Sequence, residues 1–257
     1  MSRAVILELD NVSVHFGGIK AVQSLSLQLF EGEIFALIGP NGAGKTTAFN
    51  VITGVYQATL GTARACGKDL RGLRVHQVTE LGLARTFQNI RLFKELSVRD
   101  NVLVALDRTR KASTLRSLFR PPVFFRDEAA KNAQVDELFQ ILQLDRIDGA
   151  TLARNLPYGL QRRLEIARAI ATGARVLLLD EPAAGMNGSE KTSLMEMIRF
   201  VRQRFQLSIL LIEHDMGLVM GISERVAVLE YGKKIAEGTP KEVQNDPRVI
   251  KAYLGTE

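Results

Sequence analysis

Nine consecutive residues, Gly39-Pro40-Asn41-Gly42-Ala43-Gly44-Lys45-Thr46-Thr47, bring together glycines, a lysine and two hydroxyl side chains. They fit the phosphate-loop pattern G-x-x-x-x-G-K-[ST] at every defined position. Glycines let successive backbone N–H groups turn inward around phosphate oxygens, and a helix that follows points its positive end at the same place. In that arrangement Lys45 reaches the β- and γ-phosphates as a point charge, the Thr46 hydroxyl ligates Mg²⁺ and Thr47 donates a further hydrogen bond to phosphate. The chemistry expected is the holding of a nucleoside triphosphate with Mg²⁺.

A second group of residues offers what hydrolysis needs. Val176-Leu177-Leu178-Leu179 runs straight into Asp180-Glu181-Pro182. Two carboxylates at the carboxyl end of a central strand lie at the phosphate edge of a parallel sheet. Asp180 is then placed to hold the Mg²⁺ shell, and Glu181, one residue on, to orient or deprotonate an attacking water. The bland alternative is a solvated turn after a strand. A further apolar run, Leu207 to Ile212, ends in Glu213-His214-Asp215 at the same edge, where the His214 imidazole can donate to a γ-phosphate.

The elements that must position these groups are legible from periodicity. Glu33 to Ile38 reads as the buried strand ahead of the phosphate loop. Val5 to Leu9 and Val12 to Phe16 alternate with the period of antiparallel strands, and Gly17-Gly18 turns the chain into Ala21 to Leu29. Phe16, at the end of its strand, can offer a face to a purine or serve as an edge aromatic. Asp127 to Leu144 shows an apolar face at helical spacing, within a mostly helical lobe inserted between two sheet segments. Leu160, Leu164, Ala167 and Ile170 predict an amphipathic helix over Gln161 to Thr172, its start abutting Tyr158-Gly159. Val226 to Leu229 and Lys234 to Ala236 read as a hairpin, and Thr239-Pro240-Lys241-Glu242 as a capping box with proline at the first helical position.

Composition bounds the class. The 257 residues are 46% hydrophobic and 24% charged, as in ordinary globular proteins with ample core. There is no signal-like start and no apolar run near the ~20 residues that span a bilayer, so the product is expected to be soluble or peripheral, on the cytoplasmic side. Cys66 is the one cysteine, which excludes an internal disulfide and leaves it a small packing residue. The net charge is +6, and Arg108, Arg110, Lys111, Arg116, Arg120 and Arg126 against Asp107 account for nearly all of it. That stretch, interleaved with Leu115, Leu118, Phe119, Phe124 and Phe125, suits anionic headgroups or a membrane partner, or is a solvated surface insertion. A continuous basic stripe for nucleic acid is absent.

Taken in order, the phosphate loop, Phe87-Gln88-Asn89, Leu156-Pro157-Tyr158-Gly159-Leu160-Gln161-Arg162-Arg163, Leu179-Asp180-Glu181-Pro182 and Glu213-His214-Asp215 resemble the ATP-binding subunits of ABC transporters along essentially the whole chain. The resemblance implies an α/β fold: a P-loop NTPase core with a flanking antiparallel β-subdomain and an inserted α-helical subdomain. Within a single domain over 1–257, segments 1–90 and 173–238 would form mainly the core and antiparallel sheet, 91–172 mainly the helical subdomain, and 239–257 a helical tail. It further implies ATP and Mg²⁺, with Gln88 touching the metal and the attacking water while sensing a membrane partner, Phe16 in the adenine-stacking place and His214 in that of the switch histidine. Such subunits pair head to tail, each nucleotide lying between one phosphate loop and the other subunit's signature. Tyr158 and Gly159 would present backbone donors to that nucleotide. Pro157, Tyr158 and Leu160 depart from the general signature L-S-G-G-Q: the serine hydroxyl is missing, and proline has no N–H to replace it.

Within the family, Phe16-Gly17-Gly18-Ile19-Lys20-Ala21-Val22, Ala84-Arg85-Thr86-Phe87-Gln88-Asn89, Pro182-Ala183-Ala184-Gly185-Met186-Asn187 and the tail Ala252-Tyr253-Leu254-Gly255 look like the larger ATPase subunit of high-affinity branched-chain amino acid importers. Implied partners are a second ATP-binding subunit, a smaller paralogue or another copy, two membrane-spanning permease subunits and, indirectly, a periplasmic or extracellular substrate-binding protein. The implied place is the cytoplasmic face of the inner membrane, peripherally. Importers of urea, amides or other amino acids, a lipopolysaccharide-type export ATPase, and a soluble ABC ATPase acting on ribosomes or DNA are the competing readings.

Overall fold

The computed structural model describes residues 3–108 and 122–254. Most of the basic stretch read at 107–126, and Gly255 of the tail, lie outside them. The chain divides into two compact units, 1–85 with 175–257, and 86–174.

The first unit carries two sheets. One has four antiparallel strands in the order β2-β1-β4-β5: β1 (Val5–Phe16), β2 (Ile19–Phe30), β4 (Leu60–Ala65) and β5 (Lys68–Asp69). The two strand pieces read at the start of the sequence are one twelve-residue strand. Its register shifts between Leu9 and Val12, at Asn11 with φ 49°, so alternation breaks there without ending the strand. The other sheet has six strands in the order β10-β9-β3-β8-β7-β6, formed by β3 (Ile34–Ile38), β6 (Leu83–Arg85), β7 (Val176–Asp180), β8 (Ser208–Ile212), β9 (Arg225–Glu230) and β10 (Lys233–Gly238). All its neighbours are parallel except β9 and β10, which make the expected hairpin. Strands β3, β7 and β8 are buried at every position, which is why they read as unbroken apolar runs.

Among the described residues five helices belong to this unit beside α1 (Lys45–Ile52): α2 (Val75–Glu80), α6 (Gly188–Phe205), α7 (Met216–Ile222), α8 (Pro240–Gln244) and α9 (Pro247–Leu254). Phe49, Val51 and Ile52 of α1 join Leu7, Leu9, Leu25, Leu29, Phe35 and Leu37 in one core, with Cys66 packed at its margin. Asn187 caps α6 and Thr239 caps α8, each through a capping box, with Pro240 at the start of the latter as the sequence predicts.

The second unit, 86–174, is helical: α3 (Val98–Arg108), α4 (Pro122–Ile141), a short 3₁₀ turn (Ala153–Asn155) and α5 (Tyr158–Ala171). Two boundaries differ from those expected. Helix α4 ends at Ile141 because Gln143 takes φ 56°, so the buried Leu142 and Leu144 pack from beyond the helix end. Helix α5 opens at Tyr158, not Gln161, because Pro157 takes the cap position and its carbonyl accepts the Leu160 and Gln161 N–H groups.

Candidate functional site

Strands β3, β8 and β7 are neighbours, and Leu37, Ile212 and Asp180 lie in register across them. The segments that leave their carboxyl ends are the phosphate loop, Glu213-His214-Asp215 and Glu181-Pro182. One sheet edge therefore gathers three of the predicted motifs, where ligands of open α/β sheets bind.

The loop is built for an anion. Gly39 has φ 146°, and a Cβ there would stand 2.1 Å from the Leu229 carbonyl oxygen; Gly44 has φ 101°, and its Cβ would stand 2.5 Å from that of Ala21. Only glycine lets the backbone turn this tightly against β9 and β2. The tip of the β9–β10 hairpin holds the loop from outside, with Gly232 N–H donating to Ala43 O at 3.0 Å. Lys45 opens α1 and is 8% exposed; its Nζ donates to Gly39 O at 2.6 Å and Pro40 O at 2.9 Å. Burial lowers the Lys45 pKa, and the charges of Glu181 and Asp180 work against that shift. A cation curled on its own loop's carbonyls beside a helix N-terminus fits a triphosphate, which offers it better acceptors.

Thr46 and Thr47 follow on the first turn of α1, Thr46 exposed and Thr47 half-buried. Asp180 is 5% exposed, and its Oδ2 meets Arg85 Nη2 at 2.7 Å. Arg85 also donates to Asn50 Oδ1 at 2.7 Å, which links the end of β7 to α1. A hydroxyl and a carboxylate are the hard oxygen donors Mg²⁺ takes, and Mg²⁺ bound with phosphate keeps several waters, so these residues fit it. Among the described residues no group of three His, Cys, Asp or Glu side chains stands close enough to hold a metal unaided.

Glu181 begins the turn after β7 with φ 46°, its N–H bonded to Ile212 O at 2.9 Å. Left-handed backbone at a glutamate is sterically costly, and here it turns the chain out of the strand at the carboxylate itself. The Glu181 side chain is one-fifth exposed, and its Oε2 lies 3.6 Å from His214 Nδ1. Glu213, fully enclosed beside them, accepts from the N–H groups of Ala183 at 2.9 Å, His214 at 2.8 Å and Asp215 at 3.1 Å. Asp215 caps α7 through Leu218 N–H and pairs with Lys191; hydrogen bonds from that ammonium, then from the cap N–H, hold its carboxyl below the usual range.

Phe16 ends β1 nearly half exposed, its ring 5.2 Å from that of Tyr56 and edge-on at 72°. Gln88 lies in the second unit on the loop after Thr86, and Tyr158 and Gly159 form the first turn of α5 in the same unit. The geometry thus brings together Lys45, Thr46, Asp180, Glu181 and His214, with Gln88, Tyr158 and Gly159 grouped separately in the other unit. Sequence reasoning gave no role to Glu213, Tyr56, Arg85, Arg162 or Glu165. For Glu213 a signal existed, a carboxylate closing an apolar strand; the others depend on contacts across distant segments.

A parallel sheet with a phosphate loop after β3, carboxylates after β7 and a histidine after β8, beside an antiparallel sheet, defines an ATP-binding cassette of the ABC type. Residues 22–184 match the ABC transporter family model, and 233–257 match a model described as branched-chain amino acid ATP-binding cassette transporter. The chain belongs to the ABC transporter family and is an ABC ATPase. It is 44% identical over 255 residues to the high-affinity branched-chain amino acid transport ATP-binding protein BraF of Pseudomonas aeruginosa, with 99% of each chain covered. It is 46% identical to LivG of Salmonella typhimurium, a protein of the same description, over 97% of this chain and 98% of the relative. The ADP conformation of MJ1267, an ATP-binding cassette of an ABC transporter, superposes with a TM-score of 0.83 at 29% identity, covering 98% of this chain and 100% of that one.

Proposed function

We propose that this chain hydrolyses ATP to power uptake of leucine, isoleucine and valine through separate membrane-spanning subunits. The observation that carries this reading is similarity over nearly the whole length, tail included, to ATP-binding proteins of high-affinity branched-chain amino acid transport.

In the proposed cycle the purine stacks on Phe16, and the phosphates lie along Gly39 to Thr47 with Lys45 moving from its loop carbonyls to the β- and γ-phosphates. Thr46, Asp180 and Gln88 would hold Mg²⁺, which neutralises charge on the phosphates. Glu181 takes a proton from the water that attacks the γ-phosphorus as the bond to ADP breaks, and His214 donates to the γ-phosphate. Tyr158 and Gly159 face the nucleotide of a second ATP-binding subunit, a smaller paralogue or another copy, with the helix dipole of α5 favouring the triphosphate. Closure of the pair gains energy while ATP is intact and loses it on hydrolysis. Gln88 would pass that motion to two permease subunits, which receive cargo from a substrate-binding protein outside the membrane. In this reading the chain sits peripherally on the cytoplasmic face. Among the described residues no helix is long and apolar enough to cross a membrane.

The test is uptake of labelled leucine at low concentration in cells whose sole copy is wild type or Glu181→Gln at matched expression. Removing a general base costs about 10²- to 10⁴-fold in the chemical step, so uptake should vanish in the variant. Retained uptake would overturn the assignment.

A further inference from the structure

The loop that carries Gln88 is gripped by a buried ion pair. On α5, Arg162 is completely buried and Glu165, one turn on, is 2% exposed, and Arg162 Nη1 meets Glu165 Oε2 at 2.7 Å. Each partner also holds the loop's backbone. Arg162 donates from Nη1 to Phe87 O at 2.6 Å and from Nη2 to Gln88 O at 2.9 Å. Glu165 Oε1 accepts from Phe87 N–H at 3.3 Å and Arg91 N–H at 3.1 Å. The same guanidinium reaches Tyr158 Oη at 3.3 Å, on the first turn of the helix. Further along α5, Arg168 donates to Arg91 O and lies 5.2 Å from the Phe93 ring centroid.

A buried ion pair is weak evidence for net stability, because desolvation offsets most of its attraction. Here it has another use. A loop has no ladder to satisfy its peptide groups, and these two side chains supply donors and acceptors to residues 87, 88 and 91 at once. Shifting the loop against the helix would strand a charge in a dry site, so the assembly resists shear. We propose that Arg162 and Glu165 are positioning residues that lock the Gln88 loop to the helix opening at Tyr158-Gly159, so that both segments move as one rigid body during the ATP cycle. A displacement imposed at Gln88 then reaches Tyr158 and Gly159 with no intervening side-chain switch. This rests on the roles given above to Gln88, Tyr158 and Gly159.

The experiment uses Arg162→Lys, which keeps the charge but replaces a fork spanning two carbonyls and a carboxylate by one ammonium, and Glu165→Gln, which keeps the shape. Amide hydrogen exchange on the purified full chain should show protection at Phe87 and Arg91 falling about tenfold or more in either variant, with α3 unchanged. In ATPase assays kcat should fall about tenfold with KM for ATP within about twofold. Glu165→Gln combined with Gln88→Ala should cost no more than the worse single variant, as groups acting as a unit do. Arg162→Leu with Glu165→Leu removes both charges together and leaves the loop's carbonyls and N–H groups without these partners, so it should melt below the wild type and lose the protection. Protection retained in the variants, or losses that add to those of Gln88→Ala, would overturn the proposal. If Gln88→Ala alone leaves kcat intact, the role given to Gln88 fails, and the exchange data still decide whether the lock exists.

Discussion

Glu213 Oε1 accepts the backbone N–H of Ala183 at 2.9 Å, tying the turn that begins at Glu181 to the turn that carries His214. Its other oxygen takes the N–H groups of His214 and Asp215. One buried carboxylate therefore ties the backbone after Glu181 to the backbone of His214. Glu213→Leu would leave three N–H groups without their acceptor, each worth about 1–3 kcal/mol when stranded. The expected outcome is a stability loss of several kcal/mol in urea titration and a fall in kcat with KM for ATP little changed. An unchanged kcat in folded protein would refute the positioning role.

Gly39 offers a sharper contrast between space and conformation. Its φ is 146°, and an added Cβ would lie 2.1 Å from Leu229 O, a backbone atom that cannot step aside. Gly18 has open space and an ordinary φ. Gly39→Ala should cost about 1–3 kcal/mol from overpacking, with further cost from the strained backbone, and should abolish ATP binding by displacing the loop. Gly18→Ala should melt within a degree or two of the wild type. Calorimetric melting of both, with nucleotide titration, checks the pair of expectations.

Lys45 predicts a pH dependence whose sign follows from burial. Its folded pKa lies below the ordinary 10.5. Between the two values the unfolded chain binds more protons, so stability of the nucleotide-free protein rises with pH through that alkaline window. Lys45→Met should flatten the slope. ATP affinity should move the opposite way, since the triphosphate needs the ammonium: it should fall as pH rises through the folded pKa. Thermal melts with and without ATP across that window separate the two trends.

These cases mark how much was legible in the sequence. The strands at 34–38, 176–180 and 208–212 stand out because burial on both faces demands unbroken apolar runs, and the phosphate loop because its backbone demands glycine at fixed places. The ladder then brings Glu181 beside His214 without further information. Arg162 and Glu165 were illegible for a physical reason: opposite charges three residues apart on a helix look like a solvated pair, and only residues 87 to 91, far off in sequence, make them a buried one. Arg85 and Asp180 share that dependence, being 95 residues apart.

If the purine stacks on Phe16 as proposed, the pairing of Phe16 with Tyr56 allows nucleotide binding to be tested apart from hydrolysis. Tyr56 stands edge-on to the Phe16 ring and leaves the pair partly exposed at the end of β1. A purine stacked on an aromatic gains about 1–3 kcal/mol, so Phe16→Ala should raise KM for ATP about 5- to 100-fold while kcat stays within about twofold. Tyr56 only fixes the plane of that ring, an interaction of about 0.5–1.5 kcal/mol. Tyr56→Ala should therefore raise KM less, and adding it to Phe16→Ala should change nothing more, since the ring it orients is gone. Steady-state kinetics of the two single variants and the double variant provide the check. A drop in kcat with Phe16→Ala, or additive effects in the double variant, would mean that the two rings serve the fold of the hairpin end and not the base.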